Sequence, residues 1–189
     1  MFAAIAAAKN GHEVHLYEKN EKLGKKIYIT GKGRCNLTNA CDMEKLMAGV
    51  CRNGKFLFSA FYGYTNYDVI DFFESNGMKT KTERGDRVFP LSDRSADVID
   101  TLRNVMKKEG VRVHLNREVK EILVSREQEA PRVTGLALAD GEQIRGDAVI
   151  VATGGLSYRT TGSTGDGYRF AQECGHTVTE LSPSLVPFH

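Results

Sequence analysis

The opening segment carries the order of elements that most constrains this chain. Ala3 to Lys9 is an alanine-rich stretch with helical character, and Asn10-Gly11 is a helix stop. An apparent strand follows over His12–Tyr17 and ends on the acid Glu18. The basic, glycine-rich run Gly31-Lys32-Gly33-Arg34-Cys35-Asn36-Leu37-Thr38-Asn39 comes next. Helix, stop, strand and terminal acid form the second half of a βαβ unit. A glycine-rich cationic loop placed after that acid suits a dinucleotide. The carboxylate can hold a ribose, while backbone N–H groups and cations meet a pyrophosphate or a ring.

In a dinucleotide-binding unit the acid falls about 20 residues after the phosphate-loop glycines. Counting back from Glu18 places those glycines before Met1. The expectation is therefore a chain without its first strand and phosphate loop, as in a gene fragment or after a misplaced start codon.

Further along, residues 43–63 read as helical and apolar. Asn66 is a candidate cap for a helix through Glu74, with Val69, Ile70, Phe72 and Phe73 on its buried side. Met78–Arg84 and Arg87–Phe89 can pair around Gly85-Asp86. Ser95 is a candidate cap for a helix Ala96–Glu109, which has an apolar stripe of Val98, Leu102, Val105 and Met106. Three β segments follow, Val111–Leu115, Val119–Ser125 and Val133–Ala139, and Asp140-Gly141 turns the last into Glu142–Arg145. Ala148–Ala152 is a continuous apolar run, the pattern of a strand buried on both faces. A last helix is expected over Tyr168–Cys174, and the tail from Leu181 to His189 reads as extended. The fold class is α/β, a Rossmann-like FAD/NAD(P)-binding domain with an additional β-meander, truncated at both ends. All of residues 1–189 are assigned to that partial domain.

Composition excludes little and supports a packed core. Apolar residues make up 41% and charged residues 26%, an ordinary globular balance. The formal net charge of +2 gives no case for bulk attraction to nucleic acid or membrane. Charge is nevertheless uneven. Between Glu18 and Arg34 stand Lys19, Lys22, Lys25, Lys26, Lys32 and Arg34 against only Glu18 and Glu21. That pattern fits a local anion site, and a solvated loop is the plain alternative. Cys35, Cys41, Cys51 and Cys174 form no C-x-x-C pair and have no zinc-like spacing, so they are read as reduced thiols in a cytoplasmic protein without a metal. The apolar opening lacks the basic flank of a signal peptide, and no apolar run is long enough to span a bilayer.

Three places carry candidate chemistry. Glu18 can accept both hydroxyls of an adenosine ribose; otherwise it is a surface acid beside Lys19. In the loop, Gly31 and Gly33 permit close backbone approach, and Arg34 can grip a phosphate at two points or set charge near a flavin ring. Asn36, Thr38 and Asn39 can tie the loop by side-chain-to-backbone bonds. Cys35 beside Arg34 is either an acidified thiol or a small packing residue. The run Val149–Gly155 ends in Thr153-Gly154-Gly155, a turn that can close over a cofactor. Gly162–Gly167 lacks the Gly-Lys-Ser/Thr ending of a nucleotide-hydrolysing loop. His12, His15, His114, His176 and His189 form no catalytic or metal-binding pattern.

Taken in order, several strings resemble a known family. They are Glu18-Lys19-Asn20 with Lys22–Lys26, Ile29–Asn39, Arg87-Val88-Phe89-Pro90, Ala148–Gly155, Gly162–Gly167 and Pro183–Pro187. The chain is similar to bacterial FAD-dependent oxidoreductases labelled aminoacetone-oxidase-like or steroid-enone-reductase-like. That resemblance implies a two-part FAD domain with an insert domain between its parts, of which this chain holds the first part. It implies that Glu18 holds the ribose, that Lys19 is a further cofactor-binding residue, and that Lys26, Gly33, Arg34, Cys35 and Asn36 line the pyrophosphate and flavin. Val119 would offer backbone groups to the adenine, and Thr153, Gly154 and Gly155 would close over the cofactor. No residue stands out as a catalytic acid or base. The implied activity moves a hydride between a reduced nicotinamide or an organic substrate and FAD, with NAD(P)H as a candidate donor. The implied partner is a small-molecule substrate, with no nucleic acid and no membrane. The alternatives are a non-catalytic truncated dinucleotide-binding fragment and a nicotinamide-only reductase.

Overall fold

The structure is a computed structural model that describes residues 1–126 and 130–182. The chain divides into two compact units, one of residues 1–16 and 22–114, the other of residues 17–21 and those from 115 onward.

The first unit is built on three helices, α1 (Phe2–Lys9), α5 (Asn66–Ser75) and α6 (Ser95–Lys108). The stripe read from the sequence of α6 is the one that is buried: Val98, Leu102, Val105 and Met106 join Ile5, Phe72 and Phe73 in one apolar cluster. Each such side chain contributes about 1.5–3 kcal/mol when fully buried. Phe2 stacks obliquely on Phe72, with ring centroids 4.5 Å apart, which fastens α1 to α5. A small antiparallel sheet takes the order β2 (Thr38–Asn39), β4 (Arg87–Pro90), β3 (Thr80–Glu83). The expected pairing around Gly85-Asp86 is present, with Thr82 opposite Val88. Helix α2 (Lys25–Ile29) precedes a tight turn over Thr30–Gly33.

Three local expectations need correction here. Residues 43–63 form two helices, α3 (Met43–Ala48) and α4 (Gly54–Gly63), because Gly49 ends the first and Asn53 takes a left-handed conformation with φ 53°. The cap of α5 is Thr65. Its hydroxyl accepts from Asp68 N–H while the Asp68 carboxylate accepts from Thr65 N–H, a reciprocal box that Asn66 cannot make. Ser95 does not cap α6. It is the first helical residue, and its hydroxyl donates to Tyr28 O at 3.0 Å.

Strands β1 (His15–Glu18) and β5 (Arg112–Leu115) pair side by side. Arg112 N–H donates to Val14 O and Arg117 N–H to Glu18 O, so the chains advance together and the pairing is parallel. Helix α1, strand β1 and its parallel neighbour make this a Rossmann-like α/β fold.

The second unit holds the meander β6 (Val119–Ser125), β7 (Arg132–Leu138) and β8 (Gln143–Arg145), all antiparallel. The Asp140-Gly141 turn is as expected, with Gly141 at φ 92°. Helix α7 (Asp166–Glu173) follows a long loop. Among the described residues, Ala148–Ala152 joins no ladder, and Ile150 is 62% exposed. The continuous apolar run signals residues suited to burial, but a strand also needs a hydrogen-bonding neighbour, and none is paired with it. The expected extended tail from 183 to 189 lies outside the described residues. Among the described residues no helix is long and apolar enough to cross a membrane.

Candidate functional site

In the first unit the glycine-rich loop is a coil of left-handed residues. Gly31, Lys32, Gly33 and Cys35 have φ of 57°, 57°, 86° and 61°. Glycine takes that conformation without steric cost, and the two other residues need support. Support comes from Cys35 N–H to Thr30 O at 3.1 Å, Arg34 N–H to Gly31 O at 3.2 Å and Leu37 N–H to Val88 O at 2.8 Å. With its amide nitrogen turned toward them, Asn36 donates to the carbonyls of Val88 and Thr38, each at 3.2 Å. The loop-tying role read from its side chain is thereby met.

Arg34 is held on both sides. Its Nε donates to Asp93 Oδ1 at 2.7 Å, its Nη2 donates to Glu83 Oε1, and its guanidinium lies 4.2 Å from the centre of the Phe89 ring. Lys81 Nζ closes the set on Asp93 Oδ2 at 2.5 Å. Two cations thus face two carboxylates, and the cluster has no formal net charge. Hydrogen bonds from Arg34 pull the Glu83 carboxyl below its ordinary range, and those from Lys81 and then Arg34 do the same for Asp93. The two-point geometry expected for a phosphate is occupied by two carboxylates of the same unit.

Cys35 is 7% exposed and belongs to the apolar core cluster. Burial pushes its thiol above the usual value, against a smaller lowering by a hydrogen bond with Thr30. Of the two readings of Cys35, the small packing residue is the one the structure supports and the acidified thiol is not: its side chain is buried, and desolvation decides. Lys26 lies half-buried on α2.

In the second unit Glu18 ends β1. Its Oε1 accepts from Asn20 N–H at 2.9 Å and Asn20 Nδ2 at 2.7 Å, so the carboxylate is fixed over a tight turn. Asn20 also donates to Thr161 O at 3.2 Å. The neighbouring Lys19 does not pair with Glu18. Its Nζ donates to Thr164 Oγ1 at 2.6 Å and Asp166 Oδ2 at 2.7 Å. Burial raises the Asp166 carboxyl, but the bonds from Lys19 and Thr164 outweigh it and leave it below its ordinary value.

An open cleft of about 250 Å³ lies where β1 ends, lined by Lys19, Asn116, Arg117, Glu118, Ala139 and Asp140 among others. Val119 sits at its edge, at the start of β6 and opposite Leu138. Thr153–Gly155 packs on the segment 162–167. Gly155 O accepts from Gly165 N–H at 3.1 Å, and a Cβ on Gly154 would come 3.0 Å from Ser163 Oγ.

The structure thus brings Glu18 and Lys19 together with the glycine segment before α7. It separately gathers Gly33–Asn36 on β4. Asn20, Thr164 and Asp166 were missed as site residues. Thr164 and Asp166 stand inside a string noted as an imperfect phosphate loop and as part of the family resemblance, and the signal for them was their polarity between glycines. Glu83, Asp93 and Lys81 carry no local signal, since nothing near them in sequence marks them as partners of Arg34. Among the described residues no group of three His, Cys, Asp or Glu side chains is arranged to hold a metal.

Known proteins give a context for this geometry. The family model described as the HI0933-like protein Rossmann domain matches residues 1–184. The chain is 34% identical, over 97% of its length, to a 3-dehydro-bile acid delta(4,6)-reductase of Clostridium scindens, and covers 43% of that protein. It is 32% identical over its whole length to a ribosomal RNA dihydrouridine synthase of Haemophilus influenzae, and covers 46% of it. It therefore spans about half the length of the curated relatives it matches. Among solved structures, the open conformation of a flavocytochrome c3 fumarate reductase aligns with a TM-score of 0.60 and 25% identity, over 92% of this chain and 38% of that one.

Proposed function

The chain belongs to the HI0933-like Rossmann-domain family, and we propose that it forms part of an FAD-dependent oxidoreductase that delivers a hydride to a carbon–carbon double bond conjugated with a carbonyl. The observation that carries this reading is the Glu18 carboxylate, fixed by Asn20 at the end of a parallel strand whose next residue, Lys19, lines an open cleft. A carboxylate so placed accepts from the vicinal hydroxyls of a ribose.

The donor set fits the adenosine half of the cofactor. Glu18 supplies the ribose acceptor, the backbone around Glu118 and Val119 borders the cleft for an adenine, and within Thr153–Gly155 the two glycines offer a turn without side-chain bulk. The pyrophosphate and flavin half is assigned to Lys26 and the Gly33–Asn36 loop, in which the Arg34 and Cys35 N–H groups are already given to Gly31 O and Thr30 O. Arg34 acts there through the loop. Its own charge is already balanced by Glu83 and Asp93, so it holds the left-handed coil in shape instead of gripping a phosphate. When bound, FAD supplies the hydride chemistry, and NAD(P)H is the proposed donor.

The substrate class is drawn from the relatives. One is named for reducing Δ4,6 bonds of a 3-dehydro bile acid, the other for making dihydrouridine in ribosomal RNA. Both the 3-oxo dienone and the uracil ring hold a double bond conjugated to a carbonyl, so hydride addition at the β carbon is their shared chemistry. A formal net charge of +2 favours a small enone over RNA for this chain.

Titration of the chain with FAD, followed by flavin fluorescence, tests the reading. Saturable quenching is expected, and Glu18→Ala should weaken it by about tenfold, as loss of charge-assisted hydrogen bonds does. Absence of saturable binding by the unsubstituted chain overturns it.

A further inference from the structure

The cleft beside Glu18 raises a question of selectivity that rests on the adenosine reading above. Dinucleotides differ at the ribose 2′ position, which carries either a hydroxyl or a phosphate, and a cation near the ribose acid is what accommodates the phosphate. Two cations line this cleft, Lys19 and Arg117. Neither offers uncompensated charge. Lys19 Nζ is bonded to Thr164 Oγ1 and Asp166 Oδ2, and the Lys19 and Asp166 side chains are only 24% and 23% exposed. Thr164 Oγ1 in turn donates to Asp166 Oδ2 at 2.8 Å, which completes a closed triangle. Arg117 Nη1 donates to Asp140 Oδ2 at 2.7 Å, and its Nη2 donates to Glu142 Oε2. Glu118 and Asp140 add carboxylates to the lining.

We infer that the Lys19–Thr164–Asp166 triangle makes this cleft selective for adenosine with an unphosphorylated ribose. A 2′-phosphate brings a charge of about −1.5 to −2. Beside Glu18, Glu118 and Asp140 it is repelled unless a cation turns to it. Turning Lys19 would leave the partly buried Asp166 carboxylate without its partner, and an uncompensated charge of that kind is costly. A ribose hydroxyl asks for none of this; it donates to Glu18 and leaves the triangle closed. Asp166 and Thr164 are therefore specificity-determining residues that act through Lys19.

The test compares adenosine 5′-monophosphate with adenosine 2′,5′-bisphosphate, which differ only in the 2′-phosphate, by calorimetric titration of the full chain. The unsubstituted protein should prefer the monophosphate by about tenfold or more, and Asp166→Asn should shift that ratio by about tenfold toward the bisphosphate. Adding Lys19→Met to Asp166→Asn should remove the gain. Thr164→Val, which opens one side of the triangle and keeps the carboxylate, should produce a smaller shift in the same direction should Asp166→Asn fail to fold. Monophosphate binding with an unchanged ratio in the folded variants, or a gain that survives Lys19→Met, overturns the inference and leaves the adenosine reading standing. Binding of neither nucleotide overturns both.

Discussion

Cys35 shows how one side chain can be read two ways from its neighbours until burial decides between them. Next to Arg34 in a glycine-rich loop it has the local context of an activated thiol, yet a φ of 61° turns it into the core, where it is 7% exposed. Burial holds its thiol in the protonated form at neutral pH. Cys51, by contrast, is exposed. Iodoacetamide at pH 7.5 should therefore label Cys51 first, with Cys35 modified only under denaturing conditions, as read by peptide mass spectrometry; equal rates would contradict the buried placement. Arg34 was legible as a special cation because glycines precede it. Its partners were not, since Glu83 and Asp93 lie 49 and 59 residues away. Hydrogen bonds across such separations have no local sequence pattern.

Elements with a repeating apolar pattern or a strong turn dipeptide were readable. The stripe of α6 and the hairpins around Gly85-Asp86 and Asp140-Gly141 belong to this group, because periodicity and positive-φ turns are local properties. Caps were misplaced by one residue at α5 and α6: Thr65 makes the box expected of Asn66, while Arg94 stands at the N-cap of α6 with no side-chain cap bond and Ser95 turns to Tyr28 O. Thr65→Ala removes one half of the α5 box and should lower stability by about 1 kcal/mol in urea unfolding. A second constraint lies inside β7. Gly135 stands opposite Leu123 and Arg145, next to a register shift, and a Cβ there would fall 1.9 Å from Ile144 O. Gly135→Ala should cost about 2 kcal/mol or more, the range of forced backbone strain, and should expose the β7–β8 amides to hydrogen exchange. Unchanged exchange at Ile144 and Arg145 would show that the strands can shift to admit the methyl group. The run Ala148–Ala152 marks the limit of pattern reading: its apolarity was plain, but pairing depends on another strand.

At the scale of the whole molecule, carboxylates held below their ordinary range tie stability to pH. Glu83, Asp93, Asp68 and Asp166 all fall in this class. A depressed folded value means that the stabilisation is fully present above the unfolded carboxylate range, about pH 4, and is lost as pH falls through the lower folded values. The urea midpoint should be flat between pH 7 and pH 5.5 and should fall steeply below about pH 4, less so for the Glu83→Gln variant. A midpoint that begins to fall near pH 6 would point to histidines instead. The sequence by itself determined the α/β class, the helix–strand–acid opening, the meander and the apolar stripes of α5 and α6, because each follows from local periodicity, turn chemistry and the burial of apolar stripes. Tertiary structure alone decided that Arg34 is neutralised by Glu83 and Asp93, that Cys35 is buried, and that Lys19 answers to Thr164 and Asp166 instead of Glu18. The reason is physical. A charge takes the partners that the fold brings within about 3 Å, the hydrogen-bonding range, wherever they stand along the chain.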